Sequence, residues 1–181
     1  ALLDLRRVDE AIAALDAAEK YAVGTHAYVN FAINLGVAQE RVARADAALA
    51  TFAKVVGTSE HGGLILQVGI ANAALQTGDL PRANEAMLRA REARWTGVRL
   101  YTRALLRAGR VDEARELMLE LLRNPNWRGQ MLADVQNYRT LPPLPAERDE
   151  FARFKALVNL PEVHQAILEV GHIENFDFPH P

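Results

Sequence analysis

The sequence has few of the residues on which catalytic sites depend. It contains no cysteine, which excludes disulfides, a thiol nucleophile and thiolate metal ligands. Ser59 is the only serine, and its neighbours Glu60 and His61 would point in different directions on a helix. We therefore interpret Ser59 as a turn or helix-capping residue. Gly62-Gly63 lacks the Lys-Ser/Thr that completes a nucleotide-binding loop.

Metal-binding patterns are also sparse. His164 and Glu169 are five residues apart, which would place them on different faces of a helix, and His172 follows a glycine after that helix. Glu116 and Glu120 are two carboxylates on one helix face, an arrangement that is usually solvated. We predict no metal site, no cofactor and no catalytic residue, so the chain is not expected to be an enzyme.

No apolar stretch is long enough to cross a bilayer. The longest, Gly62 to Leu75, is interrupted by Gln67 and Asn72 and falls short of the roughly 18 residues required. The net charge of -2 argues against attraction of the whole molecule to nucleic acid or to an anionic membrane. We expect a cytoplasmic protein, with the periplasm as an alternative. The missing initiator methionine suggests a piece of a longer protein, and the abundance of alanine and arginine suggests a bacterial source.

What the sequence does contain is a repeated pattern. A turn residue and one or two polar residues precede a helix that opens with a small alanine, and this pattern occurs four times. The marker alanines are Ala11, Ala48, Ala83 and Ala114. Their spacings of 37, 35 and 31 residues are close to the 34-residue period of a helix-pair repeat.

Helical periodicity surrounds each marker. Apolar residues follow the markers at intervals of four and three, which is the spacing of one helix face: Ala11, Leu15, Ala18; Ala48, Phe52, Val55; Ala83, Met87, Ala90; Ala114, Met118, Leu121. A preceding helix is predicted for three of the units, over 25–42, 60–76 and 95–106. The 60–76 helix is apolar on most faces, which indicates a central position. Asp79 is expected to cap the next helix, with Pro81 in its first turn.

These motifs resemble the tetratricopeptide repeat family. The resemblance is carried by Leu35-Gly36, by the turns Gly78–Ala83 and Gly109–Ala114, and by the proline turn Asn124-Pro125-Asn126. It implies an all-α fold, a right-handed superhelical stack of antiparallel helix pairs over residues 1–126. The first unit would be truncated, beginning at its second helix. The resemblance also implies that the first helices of the units line a concave groove for partners.

The pattern changes after residue 126. A helix is predicted over 128–138, a proline-rich break over 140–145, and two short helices over 146–158 and 161–170. We interpret 127–171 as a helical cap, because terminal repeats are atypical. The acidic tail 172–181 is predicted to be extended, and its Phe176 and Phe178 to dock on the body of the protein; a disordered tail and exchange with another molecule are the alternatives.

The clearest indication of function is a cluster of basic residues. Between residues 89 and 110 the sequence has seven arginines and one glutamate, although the whole chain is net negative. Arg99, Arg103 and Arg107 are four residues apart and so share one helix face. By the resemblance they face the groove, together with residues from the earlier first helices: Asn30, Asn34, Arg41, Asn72 and Gln76. The alternative is a solvated face whose arginines pair with neighbouring glutamates.

The expected function is therefore a non-catalytic scaffold that binds a protein or peptide segment. Arginine forms bidentate pairs with carboxylate or phosphate, so an acidic partner is favoured. The alternatives are a sensory or regulatory domain of a signalling or transcription regulator, or a module that contacts nucleic acid through the arginine row. Nucleic acid is disfavoured because no aromatics alternate with the arginines. Self-association stays open, and the acidic tail could occupy the basic groove.

Overall fold

The computed structural model describes residues 3, 6–139 and 142–177. This part of the chain is helical, as predicted, with two strands of two residues each, β1 (Asn137–Tyr138) and β2 (Asn175–Phe176). The helices are α1 (Val8–Ala22), α2 (Tyr28–Arg41), α3 (Ala45–Phe52), α4 (Glu60–Thr77), α5 (Leu80–Glu92), α6 (Val98–Arg107), α7 (Val111–Arg123), α8 (Pro125–Asp134), α9 (Arg148–Val158) and α10 (Pro161–Val170). Short 3-10 turns precede α6 and α9. The predictions for Thr140, Leu141 and Phe178 lie outside the described residues.

The chain forms two compact units. The first contains residues 1–104 with 144–146, and the second contains 105–143 with 147–181. The first unit thus holds α1 to α5 and most of α6, and the second holds α7 to α10 and both strands. The division predicted at residue 126 marks the end of the sequence repeats. The two compact units are defined by contacts within each unit and do not test that division, so it stays a prediction.

In the first unit each helix packs against its neighbours along the chain. α1 contacts α2, α2 contacts α3 and α4, and α4 also contacts α3 and α5. The connections between these helices are short. α4 is buried on most faces, as predicted, because three other helices cover it.

The turns that precede the marker alanines share one backbone geometry. A residue with positive φ lies five positions before each marker: Arg6, Ala43, Gly78 and Gly109. In each of the last three turns its N–H donates to the carbonyl three residues back, and the next N–H donates to the carbonyl five residues back. This is the hydrogen-bond pattern of a Schellman helix ending. The same turn geometry therefore recurs at the same position in each predicted repeat.

Ala43, like Arg6, has a turn conformation that suits glycine better than a residue with a side chain. Its φ is 61°, a left-handed conformation that strains residues with a Cβ, and the methyl group is exposed. Ala43→Gly is expected to raise the free energy of unfolding by about 0.5–1 kcal/mol, measured by urea denaturation. Ala47→Gly, at an exposed position inside α3, should instead lower it by about 0.5–1 kcal/mol. If both variants shift the midpoint in the same direction, the turn geometry is not the cause.

The core of the first unit contains an aromatic ring held between two glycines. Phe52, at the end of α3, is buried, and it lies against Gly36 of α2 and Gly69 of α4. A Cβ placed on either glycine would overlap the ring. Leu35-Gly36, which carried the family resemblance, is thus a position of close helix contact.

Three of the predicted helices have wrong bounds. α2 begins at Tyr28 and not at Thr25, because 25–27 forms a bend and turn. α6 begins at Val98 and not at Trp95, because 94–96 is a 3-10 turn and Gly97 is extended. The helix predicted over 128–138 begins earlier, at Pro125, where the Asn124 side chain accepts the N–H of Asn126. It ends at Asp134, and Tyr138 lies in β1, because that segment pairs with β2.

In the second unit α7 is the central helix, in contact with α8, α9 and α10. The end of α6 is held by α9 through two side chains. Glu150 accepts hydrogen bonds from Arg107 Nε at 3.0 Å and Nη2 at 2.5 Å. Arg153 Nη1 donates to the carbonyls of Leu106 and Arg107 at 2.8 and 3.0 Å, which satisfies carbonyls at the end of α6.

Candidate functional site

The shared turn geometry makes positions on the first helices, α2, α4 and α6, comparable. Two residues before each left-handed residue stand Arg41, Gln76 and Arg107. Six residues before it stand Val37, Asn72 and Arg103. These positions are one helical turn apart and lie on one face of each helix. Five of the eight predicted partner-binding residues fall in these two sets.

Asn72 is the most unusual of them. It is only 6% exposed, and its Oδ1 meets no hydrogen-bond donor in the described part of the chain. A buried amide oxygen without a donor costs about 1–3 kcal/mol, and native proteins have few such groups. Asn72 Oδ1 therefore has an accepting capacity that the described residues do not use.

Gln76, one turn further along α4, is engaged by α2. Its Nε2 donates to the Glu40 side chain at 2.7 Å and to the Glu40 carbonyl at 3.1 Å. Glu40 is 2% exposed and occupies the position taken by Leu75 and Leu106 in the other two units. Glu40 was not among the predicted residues, although a carboxylate at a position where the other two units have leucine is a signal that the aligned repeats contain.

The arginine row has two kinds of member. Arg99 and Arg103 are exposed on α6, within the first unit. The Arg107 side chain is 13% exposed and forms the ion pair with Glu150 in the second unit. Arg107 is thus committed to holding α9, and the exposed part of the predicted row is Arg99 with Arg103.

The predicted polar residues of α2 are placed differently from those of α4. Asn30 and Asn34 are exposed and one helical turn apart, whereas Arg41 is partly buried at the end of the helix. Val37, at the position that corresponds to Asn72, is apolar and packs against the core. At this one position the residue therefore changes from apolar in α2 (Val37) to polar in α4 (Asn72) and charged in α6 (Arg103).

A shallow depression of about 340 Å³ lies beside the start of α4 and the end of α5. It is lined by Ser59, Glu60, Arg89 and Glu92 among others, a mixture of opposite charges. Ser59 Oγ accepts the N–H of Gly62, which confirms the predicted capping role, and Arg89 pairs with Glu85. Because Ser59 and Arg89 are engaged by neighbours and the remaining charges are acidic, the depression does not define a ligand chemistry.

The described ranges contain no cluster of three or more histidine, cysteine, aspartate or glutamate side chains suited to a metal ion. His172 contacts Glu174 through Nε2 at 2.6 Å, two residues along the same segment. No helix among the described residues is long and apolar enough to span a membrane.

The second unit contains a contact that the sequence did not predict in detail. We call residues 172–177 the tail segment and residues 136–139 the receiving segment. The two run parallel, with Asn137 beside Asn175 and Tyr138 beside Phe176. The Tyr138 and Phe176 rings stack at 5.1 Å between centroids, which confirms the predicted docking of Phe176. Gln136, which binds the tail segment through its amide, carried no recognisable signal in the sequence.

Comparison with known proteins assigns no family. No family model, no curated protein and no solved structure matches this chain.

Proposed function

We propose that the chain is a non-catalytic interaction module, a stack of helix pairs whose first helices form a groove for an extended, acidic peptide. The right-handed superhelical arrangement is part of this proposal, and it draws support from the repeated turn geometry at Ala43, Gly78 and Gly109. The single observation that carries the proposal is the buried Asn72 amide, whose oxygen has no donor among the described residues.

The chemistry of the ligand is inferred from the side chains on this face. A carboxamide can accept a hydrogen bond from a peptide N–H through Oδ1 and donate one to a carbonyl through Nδ2. Such contacts would hold a peptide main chain against α4. Arg99 and Arg103 are exposed cations one helical turn apart on α6, suited to carboxylates along the peptide. An acidic extended segment is the ligand that satisfies both features.

Binding of a defined peptide panel tests the proposal. Labelled 12-residue peptides, one set rich in glutamate and aspartate and one neutral, are titrated with the full chain in fluorescence anisotropy. We expect the best acidic peptides to bind in the micromolar range. Arg99→Glu/Arg103→Glu should weaken binding at least about tenfold, because a charge-assisted hydrogen bond contributes about 1.5–3 kcal/mol. Asn72→Leu should weaken it by a similar factor while keeping or raising stability.

The matched control reverses two exposed arginines elsewhere. Arg82→Glu/Arg91→Glu changes the net charge equally on α5, and it should leave peptide affinity unchanged apart from a small electrostatic effect. Equal losses for both charge reversals would mean non-specific attraction and would contradict a groove. If labelled single-stranded RNA binds with a steep salt dependence and the acidic peptides do not, the nucleic-acid alternative replaces the proposal.

A further inference from the structure

The contact between the tail segment (172–177) and the receiving segment (136–139) is directed largely at the peptide main chain. Asn137 N donates to the Glu174 carbonyl at 2.9 Å, and Arg139 N donates to the Phe176 carbonyl at 3.1 Å. The Gln136 amide makes two further bonds to the tail main chain. Its Oε1 accepts the N–H of Glu174 at 2.7 Å, and its Nε2 donates to the His172 carbonyl at 3.0 Å. Four bonds of this kind would hold an extended chain of almost any sequence.

Two side-chain contacts add selectivity. The Phe176 ring stacks on Tyr138 with an interplanar angle of 20°. Asn137 Nδ2 donates to Asn175 Oδ1 at 3.0 Å. The receiving segment thus distinguishes an amide followed by an aromatic residue. Main-chain bonds for affinity with side-chain contacts for specificity are the features of recognition by strand addition.

The tail segment is attached in a way that permits release. α10 ends at Val170, Gly171 is extended, and the first bond to the receiving segment comes at His172. The parallel pairing covers only two residues. Isolated two-stranded pairings are marginal in water, so this one benefits from the high local concentration that the covalent link provides.

We propose that the receiving segment is a recognition site for an extended peptide of the pattern Asn-aromatic, that the tail segment fills it in cis, and that a peptide of this pattern from another protein binds when the tail segment is displaced. The occupant seen here defines the ligand chemistry, because each contact made to the tail segment is available to an external peptide of the same pattern. The inference is independent of the groove in the first unit.

A full-length chain with a weakened tail tests the proposal. The probe is a fluorescein-labelled synthetic peptide with the sequence of residues 171–177, titrated in fluorescence anisotropy. The native chain should bind it weakly, since the tail segment competes at an effective concentration near the millimolar range. Asn175→Ala/Phe176→Ala should bind the probe at least about fivefold more tightly, because the competing segment has lost its stacked ring. Adding Tyr138→Ala to that variant should remove most of the gain.

Controls separate recognition from unfolding. Leu168→Ala, at an exposed position on α10, should behave like the native chain, and far-UV circular dichroism should be unchanged in all variants. A probe with alanine in place of phenylalanine should bind the tail-weakened chain several-fold more weakly than the original probe does. Equal binding of the probe to the native and tail-weakened chains would overturn the proposal, as would binding that ignores Tyr138→Ala. If the native chain forms a dimer and Tyr138→Ala abolishes it, the external peptide comes from a second copy of this chain. That outcome would overturn the proposal that another protein supplies it.

Discussion

Phe52→Ala is expected to lower the free energy of unfolding of the first unit by about 3–5 kcal/mol, the cost of removing a fully buried phenylalanine. The loss should be at the upper end, because the glycines on both sides of the ring offer no side chain that can move into the cavity. The measurement is urea denaturation followed through Trp95, which lies in the same unit, in a Trp127→Phe background.

The opposite change at the same place should also be costly. Gly36→Ala or Gly69→Ala puts a methyl group against the ring, and overpacking of this kind costs about 1–3 kcal/mol. Phe52→Leu should recover part of that loss, because the smaller side chain leaves room for the added methyl group. Measured coupling in the Gly69→Ala/Phe52→Leu pair therefore tests the packing directly.

Leu88→Ala provides the control, since Leu88 is a large apolar residue that is mostly exposed on α5. Its unfolding midpoint should stay within about 0.5 kcal/mol of the native value. Additive effects in the Gly69→Ala/Phe52→Leu pair would show that the ring does not lie between the glycines in solution.

Glu150→Ala is expected to lower the free energy of unfolding of the second unit by about 3–5 kcal/mol. The Arg107 and Glu150 side chains are 13% and 7% exposed, so removing the carboxylate leaves a buried guanidinium without its counter-charge. Trp127 lies in this unit and reports its unfolding in a Trp95→Phe background.

Two further variants test whether the cost comes from leaving a buried charge without its partner. Arg107→Met/Glu150→Leu removes both charges and should be far closer to the native stability than either single change. Glu162→Ala breaks the more exposed pair with Arg115 in the same unit and should cost at most about 1 kcal/mol. A loss for Glu150→Ala no larger than that for Glu162→Ala would mean that the Arg107 pair is effectively solvated.

The consequence for function is that the three arginines of the predicted row are not interchangeable. A triple charge reversal would bring two carboxylates together at residues 107 and 150 and damage the fold of the second unit. Loss of binding in such a variant could then come from unfolding alone. Arg99→Glu/Arg103→Glu avoids this, which is why the binding test uses the exposed pair.

Local features were predictable because they depend on neighbours along the chain. The spacing of the marker alanines, the caps at Ser59 and Asp79, and the last helix at 161–170 follow from short-range hydrogen bonds and helical periodicity. The boundary at Tyr138 failed for the opposite reason. Tyr138 lies in a strand because a segment 38 residues later pairs with it. The periodicity of the local sequence does not predict a pairing with so distant a segment.

The sequence by itself determined the helical class, the register of the repeated turns and the positions that could form a polar face, because these rest on period and turn chemistry. Tertiary structure alone decided what each polar residue does. Arg107 and Arg103 are equivalent by spacing, yet the Arg107 side chain is largely buried against Glu150 of α9 and Arg103 lies at an exposed position. Asn72 and Gln76 are likewise one turn apart, but Glu40 of α2 engages the amide of Gln76, whereas Asn72 Oδ1 meets no donor among the described residues. A side chain's partner comes from another part of the chain, and only the packing of helices places that partner within hydrogen-bond distance.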